Sequence, residues 1–260
     1  MQARDTFDAV ADLYGAVRPG YPAALFDDLA AVAGLTGASR VLEVGCGAGQ
    51  ATGDLAARAG RTVALDPGPA LIDQARARVP AANVDFVVSG FEGFEAGEEA
   101  FDLVVSAQAW HWISPQIAYP KAAQILAPGG SLAVFGHVPL PVGEPFASAF
   151  EAAFAIHAPG VWGTPPPQTA YLESGPFAGQ FAASGLFGPV IHRAYPWTWT
   201  LTAETFGAYL RTDSSYHFLP EAPRFALFDL MTAAVAENGG VIEAPWETHL
   251  YWAAKDGAGG

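Results

Sequence analysis

The chain holds a single cysteine, Cys46, in 260 residues, so no disulfide can form within it. Basic residues are also scarce. Twelve Lys and Arg face 26 Asp and Glu, a formal net charge of −14. Residues 137–260 carry only Arg193, Arg211, Arg224 and Lys255 as cations. A phosphate backbone is bound through clustered Lys and Arg, so a nucleic-acid partner is not expected. The longest apolar runs are broken by Gly, Pro or charge well short of a membrane span, and no membrane association is expected. The opening Met-Gln-Ala-Arg-Asp lacks the apolar centre of a secretion signal, which points to a cytoplasmic location. No internal repeat stands out. Charged residues make up only 15% and apolar residues 51%, ample material for a core.

What is present is led by Val41-Leu-Glu-Val-Gly-Cys-Gly-Ala-Gly-Gln50. An apolar run ends in an acid and then in three glycines spaced by two. A strand, a glycine turn and a helix make a nucleotide site at the strand tips of a doubly wound sheet. The spacing is G-x-G-x-G, whereas the dinucleotide fingerprint is G-x-G-x-x-G, and Gln50 stands where that fingerprint requires a small residue. A hydride-transferring nicotinamide enzyme is therefore the weaker reading.

Around this loop, strand and helix patterns alternate. Strands are predicted at 40–44, 62–65, 84–88, 101–106 and 132–135. Helices are predicted at 50–59, 69–79 and 115–126, preceded by helical patterning through residues 1–34. Leu126-Ala-Pro-Gly-Gly130 reads as a turn feeding the fifth strand. Five short strands separated by helices imply an α/β fold with a parallel sheet covered on both faces. After Gly136 the pattern changes. Helices are expected at 144–158, 169–184, 202–212 and 222–237, with strands at 190–200 and 248–254. Residues 137–260 hold 20 of the 32 aromatics. These either pack added helices or line an apolar pocket over the strand tips.

Several residues then suggest chemistry. Asp66 ends the second strand, 17 residues after Gly49, where an acid accepts hydrogen bonds from ribose hydroxyls or caps the following helix. Phe91, in Val88-Ser-Gly-Phe-Glu92, either stacks on a ligand ring or anchors its loop in the core. The fourth strand runs out into Gln108-Ala-Trp-His-Trp112, at the end of the sheet where such folds bind ligands. His111 there is either chemically active or a loop-fixing histidine.

In their order, Val41–Gln50, Asp66, Phe101–Trp112 and Leu126–Gly130 resemble the successive motifs of class I S-adenosylmethionine-dependent methyltransferases. Phe7–Tyr14, Arg18–Tyr21, Gln108–Trp112 and Leu210–His217 resemble one small-molecule subgroup, type 11, which includes trans-aconitate methyltransferase. The resemblance is specific over residues 1–136 and loose beyond. It implies a seven-stranded, doubly wound, mostly parallel sheet (Rossmann-like) with helical cap insertions. The whole is one structural domain, with residues 1–136 as lid helix and cofactor core. Residues 137–260 would complete the sheet and cap the acceptor pocket.

The implied cofactor is S-adenosyl-L-methionine, leaving S-adenosyl-L-homocysteine, with no metal. Its implied contacts are Tyr14 and Arg18 on the lid, Glu43 beneath the loop, and Gly45, Cys46, Gly47 and Gly49 in it. Asp66 and Pro67 would serve the ribose, and Gly90, Phe91 and Glu92 the adenine. Ala107 and Gln108 would approach the methionine end. Gly90 departs from the family pattern, where many relatives carry an Asp. The expected reaction is methyl transfer to O or N of a neutral, partly apolar small molecule. Alternatives are a small carboxylic acid acceptor, or a non-catalytic protein that keeps the cofactor site. His111 is the expected base or orienter, with His137 and His217 as second choices. The acceptor pocket is expected from Trp110–Trp112, Tyr14, Tyr21 and the aromatics after His137.

Overall fold

A computed structural model of the chain describes residue 15, residues 17–97 and residues 100–256. The helical pattern at Phe7–Tyr14, and with it Tyr14, lies outside the described residues.

The elements follow the alternation expected. In chain order they are α1 (Ala23–Ala33), β1 (Arg40–Val44), α2 (Thr52–Ala56), β2 (Arg61–Asp66), α3 (Pro69–Arg78), β3 (Val84–Val88) and β4 (Phe101–Ala107). They continue with α4 (Pro115–Ile125), β5 (Leu126–Pro139), α5 (Phe146–His157), α6 (Phe177–Ser184), β6 (Ile191–Thr202), α7 (Ala203–Thr212), α8 (Glu221–Glu237) and β7 (Val241–Ala254). The seven strands form one sheet in the order β3-β2-β1-β4-β5-β7-β6. β1 to β5 pair in parallel, and β7 lies antiparallel between β5 and β6. The order turns back at β1, between β2 and β4, and this places the ligand crevice of an open α/β sheet at the β1 and β4 tips.

Central strands buried on both faces read as nearly continuous apolar runs, and β1 is buried from Val41 to Val44, apolar but for Glu43. On one face Leu25, Phe26 and Leu29 of α1 pack with Val41, Leu103, Val105 and Phe135. On the other, Tyr119 and Ala122 of α4 pack with Leu42, Val104, Val134, Tyr171 and Phe181. A third cluster is built by α5, α7 and α8 against the outer parts of β6 and β7. It includes Phe150, Phe206, Leu227, Phe228, Met231 and Trp246.

The geometry of the β6–β7 hairpin explains that third cluster. β6 and β7 pair from Ile191↔Trp252 to Thr202↔Val241, but β5 meets β7 only as far as Pro139↔Trp246. Residues 241–244 therefore pair with β6 alone, and the hairpin projects past the sheet. Its projecting part carries the cap helices over the strand tips.

Four segments differ from expectation. The helix after the glycine loop is only Thr52–Ala56 rather than 50–59, a short helix with the poor helix former Gly53 inside it and Gly60 just beyond the expected end. Leu126–Gly130 belongs to β5 as an irregularity, not a separate turn. Phe101 pairs with Leu126, and the ladder resumes at Leu103↔Ser131, with Gly129 at φ 78°. The stretch 169–184 is a 3₁₀ turn at Pro167–Tyr171 and then α6, interrupted at Gly175-Pro176. β7 begins seven residues earlier than the sequence pattern suggested, at Val241.

Candidate active site

The glycine loop is shaped by its neighbours. The N–H groups of Gly45 and Cys46 both donate to Leu65 O at 2.8 Å, tying the tip of β1 to β2. Gly45 has φ 74°, and a Cβ there would collide with Ala109 Cβ beyond the tip of β4. Gly49 has a different reason. At φ 84° it lies against α3, where a Cβ would sit 3.2 Å from Ala75 Cα. Gly49 is a packing glycine and does not line the cleft, contrary to the role implied for it.

Asp66 fixes the loop from below. One carboxylate oxygen accepts from Gly47 N at 3.0 Å and the other from Gly68 N at 2.9 Å, at the start of α3. Both alternatives weighed from sequence meet here, since Asp66 lines the cleft as well. Glu43 is fully buried, and its Oε2 accepts from the Thr52 hydroxyl at 2.6 Å. Among the described residues its Oε1 has no partner. Burial, reinforced by the Asp66 charge against the Thr52 hydrogen bond, raises the Glu43 pKa to about 7. Burial also pushes the Cys46 thiol up.

These groups open into a cleft of about 470 Å³ across the strand tips. Arg18, Glu43, Gly45, Cys46, Gly47, Asp66, Pro67, Gly90, Phe91, Glu92, Ala107, Gln108 and His111 all line it. Phe91 is only 2% exposed, its ring set against Trp110 with centroids 5.7 Å apart, so it anchors its loop in the core while bordering the cleft. Gln108 has φ 58°, a strained conformation for a non-glycine residue. Its N–H donates to Phe135 O at 2.9 Å and its Nε2 to His137 O at 3.3 Å. A carbonyl can only accept, so the amide orientation is settled, and Oε1 is left without a partner among the described residues.

The other wall comes from the cap. Trp199, Tyr209, Trp246, Asp213, Ser215 and Gln168 line it: the three aromatics are among those expected after His137, Asp213 and Ser215 lie within the Leu210–His217 motif, and Gln168 carried no signal in the sequence. The alternation Trp197-Thr-Trp199 in β6 was the available signal. Asp213 accepts from Tyr209 Oη at 3.2 Å and from Ser215 N at 2.9 Å. Arg18 is turned toward this side. Its Nη2 donates to Thr212 O at 2.6 Å and its guanidinium lies over the Tyr209 ring. Among the described lining residues it is the only Lys or Arg. Arg193 and Arg211 pair elsewhere, with Asp28 at 2.7 Å and Asp229 at 2.9 Å.

The histidines separate clearly. His137 Nε2 meets Gly20 O at 3.1 Å, so it must carry the proton, and Nδ1 accepts from Thr248 Oγ1 at 2.8 Å. With burial lowering its pKa to about 3, His137 is a neutral tie between β5, β7 and the Arg18–Tyr21 segment, not a base. His217 is exposed and outside the cleft lining. Trp110 is buried between Phe91 and Tyr119 and lines nothing. His111 borders the cleft beside Trp112, with Nδ1 at 3.0 Å from Tyr171 Oη. Desolvation by the cleft walls pushes its pKa down from 6.5 to about 4.

Comparison with known proteins agrees with this geometry. A family model described as a methyltransferase domain matches residues 42–134, the segment from β1 into β5. An uncharacterised methyltransferase of Mycobacterium tuberculosis is 36% identical over 127 residues, 49% of this chain and 50% of that protein. Nodulation protein S of Rhizobium tropici is 38% identical over 103 residues, 38% of this chain and 42% of that protein. The chain thus matches about half the length of these relatives or less. A solved structure from Anaeromyxobacter dehalogenans, described as a type II methyltransferase, covers 91% of this chain and 97% of its own at 23% identity. Its TM-score is 0.57, a likeness of fold. These matches speak for the methyltransferase class as a whole; the narrower likeness to trans-aconitate methyltransferase rests on the sequence motifs alone.

Glu43 offers a test of the cleft's inner wall. Its raised pKa means that the folded state binds an extra proton between pH 4.5 and about 7, so its contribution to stability falls as pH rises through that window. Glu43→Gln removes this dependence. In urea unfolding at pH 5 and pH 8, the variant should gain on the wild type by about 3 kcal/mol at most on going to the higher pH.

Proposed function

We propose that the protein is an S-adenosylmethionine-dependent methyltransferase acting on a small, neutral, partly apolar acceptor. The observation that carries this reading is one cleft holding a glycine loop pinned by Asp66 on one side and an aromatic cap on the other. The residues fit the cofactor. The bare backbone of Gly45 and Gly47 leaves room for a ligand, and Glu43 Oε1, Gln50 Nε2 and Gln108 Oε1 are buried without partners among the described residues. Unsatisfied polar atoms around a crevice are what a polar ligand completes.

In this reading Asp66, which lines the cleft, takes the ribose hydroxyls. Glu43 and Gln50 serve the amino-acid end. Gly90, Phe91 and Glu92 border the adenine. When bound, S-adenosylmethionine supplies a methyl group already activated on a sulfonium. The chain's task is to hold the acceptor in line and keep water out, a kind of positioning worth up to roughly 7–11 kcal/mol in favourable systems. Trp112, Trp199, Tyr209 and Trp246 supply apolar wall, and His111 is the polar group that touches the acceptor. Asp66, Glu92 and Asp213 against Arg18 leave little to hold an anionic acceptor, which disfavours the carboxylic acid alternative.

Isothermal calorimetry with S-adenosylhomocysteine tests the assignment. The wild type should bind it and Asp66→Ala at least tenfold more weakly. Equal affinity in the two proteins, or stabilisation of the wild type by NAD instead, removes the ribose assignment.

A further inference from the structure

The His111–Tyr171 contact decides which kind of polar group the cleft offers. Tyr171 is fully buried, and His111 Nδ1 is its hydroxyl's hydrogen-bond partner, at 3.0 Å. The proton between them has two arrangements. If Nδ1 carried it and donated to Tyr171 Oη, the phenol's own proton would be buried without an acceptor among the described residues. Leaving a buried donor unsatisfied costs about 1–3 kcal/mol. If Tyr171 donates to Nδ1, both groups are satisfied. A neutral imidazole with Nδ1 as acceptor carries its proton on Nε2. Among the described residues His111 has no other hydrogen-bond partner, and it is exposed and lines the cleft.

We infer that Tyr171 is a positioning residue that locks His111 with its proton on Nε2, so that the cleft offers the acceptor an N–H donor and not a base. This rests on the methyltransferase reading for its use, but the lock itself is a property of the chain alone. It also narrows the acceptor. Next to the reacting atom the acceptor presents a lone pair to His111, and its nucleophile arrives without needing a proton removed by this histidine.

The surroundings support the lock. Tyr171 is held by Phe177, with ring centroids 4.8 Å apart, and lies edge-on to His111. A Cβ at Gly136 would press on the Tyr171 ring at 2.7 Å, so a glycine in β5 gives the ring its place. Taking a second proton, which only Nδ1 can accept, would turn His111 into an imidazolium and force Tyr171 to give up its donor role. Desolvation by the cleft walls opposes that charge.

The test is long-range nitrogen–proton NMR on the full chain labelled with ¹⁵N-histidine. The His111 signals are assigned by their loss in His111→Gln. In the wild type at pH 7 the expected pattern is a protonated Nε2 and an unprotonated Nδ1. In Tyr171→Phe the His111 nitrogen shifts should move toward each other as the two tautomers mix. His137, fixed by Gly20 O and Thr248, should stay unchanged in that variant and so reports on folding. A wild-type His111 protonated on Nδ1, or a Tyr171→Phe spectrum identical to wild type, overturns the proposal. The wild-type spectrum decides by itself if the variant fails to fold. Neither readout needs an acceptor or turnover, so calorimetric failure to bind S-adenosylhomocysteine would be a separate result.

Discussion

The carboxylate of Asp66 joins the tip of β1 to the start of α3. One oxygen takes the Gly47 N–H and the other the Gly68 N–H. The glycine-loop half of the cleft, where we propose the cofactor binds, depends on this pair of hydrogen bonds. They set the glycine loop at a fixed height above the sheet, with Gly45 pressed against Ala109 and Gly49 against Ala75. Charge-assisted hydrogen bonds of this kind are among the stronger ones in a protein. The same loop covers Glu43, whose burial keeps a carboxyl group near the point of ionisation at neutral pH.

The acceptor half depends on a different constraint. β6 and β7 run past the end of β5, and a hairpin that projects alone must bury its faces on something. The helices α5, α7 and α8 meet that need, and in doing so they bring Trp199, Tyr209 and Trp246 over the strand tips. His137 links the two halves. It ties Gly20 to Thr248 while stacking on Tyr21 with ring centroids 4.3 Å apart. A histidine that resembles a candidate base in sequence is thus a neutral strut.

The sheet core was legible because it obeys local rules. Apolar β-branched runs bounded by glycine or acid marked β1 to β4 to within a residue, whereas β5, expected at 132–135, runs over Leu126–Pro139. Asp66, Gln108 and His111 were found because strand tips carry the chemistry in such folds. The remainder was hidden by distance along the chain. Nothing near His111 announces Tyr171, 60 residues away, and nothing near Gly49 announces Ala75. The helix expected at 169–184 failed at Gly175-Pro176, where local geometry outweighs an apolar pattern. The cap wall was unreadable for the same reason: Trp199 and Trp246 face the cleft only because they pair, through Trp197 and Ala244, in a hairpin whose register no single segment encodes.

A crystal structure grown with S-adenosylhomocysteine tests the central claim most directly. The product should lie across the tips of β1 and β2, with its ribose on Asp66, its adenine beside Gly90–Glu92 and its sulfur facing Gln108 and His111. Product bound anywhere else, or a ribose out of reach of Asp66, would contradict it.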